Sequence, residues 1–94
     1  MESHTFNFST ALNVLKNGGK VARINWNGKG MFAYYVPKAE YPAMTEVGKE
    51  IASLGNGETV PYRAYLALKT VDNDVACWQP SVSDILADDW CVIL

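Results

Sequence analysis

Trp26-Asn27-Gly28-Lys29-Gly30-Met31 is the stretch on which the fold turns. It links two runs that read as strands, Lys20 to Ile24 before it and Met31 to Val36 after it. Asn27-Gly28 is a tight-turn pair, because both residues take positive φ at little cost. Gly30 adds a second permissive position. A tight turn needs only two such residues. This one also carries an indole, an ammonium group and two glycines that leave backbone N–H groups uncovered. Those parts can stack a flat ring and cradle an anion. The plainer alternative is a hairpin loop whose Trp26 folds back on the core, and the residues alone leave both open.

Upstream of the turn, Phe8 to Asn17 has the spacing of a short helix. Phe8, Leu12 and Leu15 fall on one face, and Ser9 is the candidate N-cap. Gly18-Gly19 ends it and Lys16 suits its C-terminal dipole. So short a helix must pack on a sheet to persist. Lys20 to Trp26 then alternates, with Ala22, Ile24 and Trp26 on one side and Val21, Arg23 and Asn25 on the other.

Downstream, Met31-Phe-Ala-Tyr-Tyr-Val36 is apolar or aromatic on both faces, the pattern of a strand covered on both sides. One helix supplies one cover. The other is either a partner subunit or the segment that follows. That segment, Pro37 to Pro61, reads as irregular, with a short helix from Glu46 to Leu54 capped by Thr45. A connection this long is often a lid or binding loop.

Tyr62 to Val71 is a second strong strand, with Ala64, Leu66 and Leu68 on one face and Arg63, Tyr65, Ala67 and Lys69 on the other. Asp72-Asn73-Asp74 turns the chain, and Val75 to Trp78 returns beside it. Ser81 and Asp84 have capping-box spacing, Ile85 and Leu86 are expected to pin that turn to the core, and Asp88-Asp89 stop it. Trp90 to Leu94 closes the sheet. The expected fold is α+β: a twisted antiparallel sheet of about five strands with one N-terminal helix and short helical turns.

Ninety-four residues point to a single domain spanning 1–94. Eleven aromatics in so short a chain (three Trp, five Tyr, three Phe) favour added burial by oligomerisation. No apolar run approaches the roughly 20 residues that cross a membrane. Met1-Glu2-Ser3-His4-Thr5 is no secretory signal, so the expected location is cytoplasmic. Cys77 and Cys91 read as reduced thiols. The net charge of −2 hides an asymmetry. Ser3 to Ala39 holds Lys16, Lys20, Arg23, Lys29 and Lys38 and no carboxylate, whereas Val71 to Leu94 holds five aspartates and no Lys or Arg. An acidic total argues against a nucleic-acid polymer, while a local cationic patch suits one small phosphorylated ligand. The two segments also complement each other if they are adjacent.

Catalytic signals are weak. His4 is the one histidine, and no metal-ligand spacing, nucleophile elbow or P-loop is present, so neither enzyme activity nor a cofactor is expected. Asp84, Asp88 and Asp89 are better explained as caps than as an acid–base pair. Trp26, Trp78 and Trp90 exceed what so small a core needs, and base stacking on such rings contributes about 1–3 kcal/mol each. Arg23, Lys29, Arg63 and Lys69 are candidates for phosphate oxygens. Asn27, Gln79, Ser81 and Asp84 are candidates for ribose hydroxyls or base edges.

Val21-Ala22-Arg23, Trp26-Asn27-Gly28-Lys29-Gly30-Met31-Phe32, Leu68-Lys69-Thr70, Trp78-Gln79-Pro80-Ser81 and Asp84-Ile85-Leu86-Ala87-Asp88-Asp89-Trp90 occur in this order. Together they resemble the second type of Thoeris anti-defence proteins of phages and prophages, from about Phe8 to Val92. The resemblance implies a small cytosolic sponge that sequesters a cyclic ADP-ribose isomer without cleaving it. It further implies a tetramer with pockets between protomers and, in some members, a separate site for cyclic dinucleotides. It makes Trp26, Asn27, Gly28, Met31 and the Trp78-to-Asp84 block the candidate pocket walls. Pro37 to Pro61 matches the family poorly, and Asp72-Asn73-Asp74 stands where an Asp-Gly turn is expected. The competing reading is a phage structural or host-protein interaction module in which the Trp residues anchor an interface.

Overall fold

In the computed structural model, which describes residues 4–24, 26 and 29–94, the first helix, α1, is Phe8–Lys16. Its N-cap is Asn7, whose side-chain oxygen accepts the Thr10 N–H at 3.1 Å. Ser9 therefore sits inside the first turn, a correction to the sequence reading. Asn and Ser cap about equally well, so Asn7-Phe8-Ser9 offers two starts and backbone geometry chooses. The other end behaves as expected. Gly18 takes φ +91°, the left-handed conformation that closes helices. Ala11 and Leu15 are fully buried, with Phe8 and Leu12 packed beside them.

The strands are β1 (Lys20–Arg23), β2 (Phe32–Val36), β3 (Ala39–Pro42), β4 (Thr59–Tyr62), β5 (Tyr65–Lys69), β6 (Val75–Cys77) and β7 (Trp90–Ile93). Two further helices are α2 (Glu46–Ser53) and α3 (Val82–Ile85). Five strands form one antiparallel sheet in the order β6-β5-β2-β1-β7. The architecture is α+β, as the sequence indicates. β1 is shorter than its alternation suggests. Its partner β7 begins opposite Arg23, at Trp90, and Ile24 already lies in a turn, 54% exposed. Past Arg23 a single further bond among the described residues, from the Ile24 N–H to Asp89 O at 3.0 Å, joins the two segments.

Register assigns the two faces, since directly opposed residues share one. Val21 opposes Ala33 and Ala33 opposes Leu68. Tyr35 opposes Leu66, and Arg23 opposes Trp90. This is the face that α1 covers, where Val21, Ala33 and Trp90 close the core with Ala11 and Leu15. The opposite face carries Lys20, Ala22, Phe32, Tyr34, Val36, Tyr65, Ala67 and Lys69. The Lys20 ammonium stands 5.1 Å from the centre of the Phe32 ring, and Phe32 and Tyr34 are ring neighbours at 6.1 Å. Ala67 is fully buried there because Tyr34 lies directly opposite it.

Residues 37 to 61 are not irregular. β3 and β4 form a two-stranded antiparallel ribbon, and α2 packs against β4. The Thr45 cap is as expected, accepting the Gly48 N–H at 2.9 Å. Pro42 and Pro61 hid the strands. Proline is a poor strand residue except at an edge, and in a two-stranded ribbon both strands are edges. Tyr62 belongs to this ribbon, so the expected strand from Tyr62 to Val71 breaks at Arg63-Ala64. Because Val36 pairs with Tyr65, the ribbon and α2 form an arm inserted into the β2–β5 hairpin. The arm gives the chain dimensions of 54 × 26 × 25 Å. The radius of gyration is 16.4 Å, against about 12 Å for a compact chain of this length.

The turn between β5 and β6 is as expected. Asn73 takes φ +64°, and the Thr70 hydroxyl bonds the Asp74 carboxylate. Among the described residues, no helix is long and apolar enough to cross a membrane.

Candidate functional site

After β6 the chain must reach the far edge of the sheet to form β7. It crosses the α1-covered side through residues 78 to 89. Trp78 starts the crossing with its N–H donated to Leu66 O at 2.8 Å. Ser81 and Asp84 then form a reciprocal capping box. The Ser81 side chain accepts the Asp84 N–H at 3.1 Å, and the Asp84 carboxylate accepts the Ser81 N–H at 2.9 Å. That box supports α3, a single turn too short to hold alone. Ile85 and Leu86 do not pin it, contrary to expectation. They are 47% and 74% exposed. The anchor is Trp90, whose indole N–H donates to Asp84 O at 2.8 Å.

Asp84 also faces β1. Arg23 donates from Nη1 to Asp84 Oδ1 at 3.1 Å and from Nε to Asp89 Oδ1 at 2.8 Å. The side chains of Arg23 and Asp84 are 16% and 13% exposed. The Asp89 bond, then the Asp84 bond, raises the Arg23 pKa and keeps it charged. Partial burial by itself pushes the Asp84 carboxyl up. The Ser81 N–H and hydroxyl and the Arg23 guanidinium outweigh it, holding Asp84 below its ordinary value. The cationic and acidic halves of the sequence thus do neutralise each other here.

Beside this network the three indoles form a triangle. Ring centres are 6.0 Å apart for Trp26 and Trp78, 5.4 Å for Trp26 and Trp90, and 5.9 Å for Trp78 and Trp90, all in edge-to-face geometry. Trp90 is fully buried against Phe8 at 5.5 Å. The view that three Trp residues exceed the core is therefore corrected. All three pack on it, because edge-to-face indoles fill volume without needing a deep interior. Trp26 and Trp78 remain half-buried and present aromatic surface to an incoming ring.

The fold thus brings together Arg23, Trp26, Trp78, Ser81 and Asp84. Gln79 is exposed at the same crossing, and Met31 is half-buried at the entry to β2. Asn27 and Gly28 lie outside the described residues. Lys69 is on the opposite face of the sheet, its ammonium donating to Gly30 O at 3.0 Å. Gly30 takes φ +76° there. Arg63 is exposed at the base of the arm, between β4 and β5. Arg23 spends two donors on carboxylates, which leaves it less charge to offer an anion. Asp89 and Trp90 complete the cluster and were missed as site residues. The legible signal was Asp-Asp directly before a strand that pairs with an Arg-bearing strand.

A shallow depression of about 440 Å³ lies instead on the arm, lined by Glu40, Ile51, Leu54, Asn56, Thr59 and Pro61. It contains none of the residues singled out in sequence. Among the described residues there is no group of three or more His, Cys, Asp or Glu able to hold a metal ion.

The chain matches the family described as the Thoeris anti-defense 2-like domain over residues 6–93. It is 36% identical over 89 residues to a protein of Bacillus phage SP01 named Thoeris anti-defense 2, and the alignment covers 92% of each chain.

Proposed function

Since the chain belongs to the Thoeris anti-defense 2-like family, we propose that it counters the Thoeris defence of an infected bacterium as a sponge. It binds the cyclic ADP-ribose-type signal and holds it uncleaved, so the effector of that defence is not switched on. A tetrameric assembly, pockets between protomers, the host cytosol as the site of action and cyclic dinucleotides as second ligands belong to the same proposal, as does the chain acting as one binding unit. The observation that carries it is the match across residues 6–93, which takes in both indole-bearing turns.

The chemistry supports the reading. A cyclic ADP-ribose isomer carries a purine, two riboses and two phosphates. The half-buried indoles of Trp26 and Trp78 offer stacking surface, and Lys29, exposed in the same turn as Trp26, offers charge. Capture of a scarce signal needs a dissociation constant around nanomolar, about −12 kcal/mol. Stacking at about 1–3 kcal/mol per ring and several charge-assisted bonds can reach it only if association costs are kept low. The Arg23–Asp84–Asp89 network serves that end by holding the indoles in place before the ligand arrives.

The test is capture and release. Purified protein is mixed with the signal, filtered, and the retained fraction heated. Intact signal is expected in the heated filtrate, whereas a cleaved product overturns the proposal. The partial exposure of Trp26 and Trp78 also fits a second reading, in which they anchor protein association. Trp26→Ala separates the two. Lost signal retention with unchanged mass and folding supports the sponge. Dissociation of an assembly whose parent retains no signal supports the interaction module.

A further inference from the structure

Two apolar surfaces of this chain have no cover among the described residues. The first is the sheet face opposite α1. Phe32, Tyr34 and Val36 are half-buried there by strand neighbours, and Tyr65 and Val75 are 41% and 55% exposed. Its charged members are Lys20 and Lys69, and no strand residue on it is a carboxylate. Neither lysine is in an ion pair among the described residues.

The second surface is on the arm. Val47 and Ile51 on α2 and its C-cap Leu54 fall at i, i+4 and i+7, the spacing of a buried stripe. They are nevertheless 64%, 45% and 88% exposed, and α2 buries only Ala52. Between residues 39 and 62 the arm holds Glu40, Glu46, Glu50 and Glu58 against Lys49, with Lys38 and Arg63 flanking it at its base. Lys49 is itself paired with Glu46 at 3.2 Å. An apolar, acidic element thus projects from a body whose open face is apolar and cationic. A second copy of the chain supplies both complements at once.

We propose that the arm of one copy seats on the open sheet face of a second copy, with Ile51 and Leu54 over the Phe32–Tyr34 rings and the arm glutamates towards Lys20 and Lys69. The long axis of the chain, 54 Å, is about twice its width, so an arm has the reach to span a partner's sheet. The seat gives β2 the second cover that its two-faced apolar pattern requires. The inference rests on the assembly proposed above but not on the identity of the ligand.

The experiment measures mass by light scattering with sedimentation. The parent is expected to be larger than a monomer. Leu54→Glu on the arm and Tyr65→Glu on the face change exposed residues, and far-UV circular dichroism checks that both fold. Each alone is expected to weaken assembly by at least about tenfold, the equivalent of 1.4 kcal/mol. Mixing the two variants is expected to restore association, because one intact arm meets one intact face. A monomeric parent overturns the proposal. So does an arm variant that assembles like the parent, or a mixture that stays dissociated, which is the outcome if face pairs with face. Signal retention by the parent is read on the same sample, so failure of the sponge reading is seen separately.

Discussion

In the body of the molecule Trp90, Leu15 and Val21 lose all exposure to solvent, and a half-buried shell of Phe6, Phe8, Leu12, Trp26, Tyr35 and Trp78 surrounds them. In the arm, residues 39 to 62, only Ala52 and Val60 are buried, while Met44 and Leu54 are 86% and 88% exposed. Apolar residues are 10 of 24 in the arm and 36 of 70 in the rest of the chain, yet one region closes a core and the other does not. Layers make the difference. The body sets a helix and a crossing segment against a five-stranded sheet. The arm sets one short helix against two strands, too little to enclose a large side chain. Cohesion within the chain therefore belongs to the body, and the arm has surface to give to a partner.

The largest expected effect tests where that cohesion sits. Trp90→Ala empties the centre of the body and removes the indole bond to Asp84 O. A large-to-small change of this kind costs about 3–5 kcal/mol, out of roughly 5–14 kcal/mol for a chain of this size. Denaturant unfolding is expected to show a largely lost folded baseline at 37 °C. An arm change such as Met44→Ala, made beside it, is expected to leave the midpoint unchanged.

The crossing segment provides the middle of the scale. Ser81→Ala removes one half of the capping box and is expected to cost about 1 kcal/mol, lowering Tm by about 4–8 °C. Asp84→Ala is expected to cost more, since it also leaves Arg23 one carboxylate short. The Asp84 pKa is held below its ordinary value of 3.8 in the folded chain. Its contribution is therefore complete above that value and is lost as pH falls through the lower folded value. Asp84→Asn is expected to flatten the fall in stability below about pH 4, as read from urea midpoints across pH 2 to 7. An unchanged acid slope contradicts the network.

The smallest expected effect on the body comes from the largest excision. Replacing residues 37 to 64 with an Asn-Gly turn joins Val36 to Tyr65, which are already paired, as a tight hairpin. The shortened chain is expected to unfold within about 1 kcal/mol of the parent's body, because loop-closure terms change slowly with length. Hydrogen exchange on the intact chain is the companion measurement. Amides of β3 and β4 are expected to exchange well before those of β1 and β2.

Residue periodicity carries much of this fold. The stripe of Phe8, Leu12 and Leu15, the left-handed stop at Gly18, the Thr45 cap, the Ser81–Asp84 box and the paired strands around both turns are local matters, set within a few residues by backbone preference and alternation. The same locality explains the errors. Asn7 and Ser9 are equally good caps in isolation, prolines conceal a ribbon whose strands are both edges, and Ile85 and Leu86 look like anchors until the crossing segment lifts them into solvent. The candidate site was legible as residue types at two turns. Tertiary structure alone decided that Trp26 and Trp78 meet over Trp90, that Arg23 is committed to Asp84 and Asp89 some sixty positions away, and that Lys69 stands on the other face of the sheet. Contacts between distant segments depend on which strands become neighbours and on which face each residue falls, and strand order is not encoded in any single stretch of the chain.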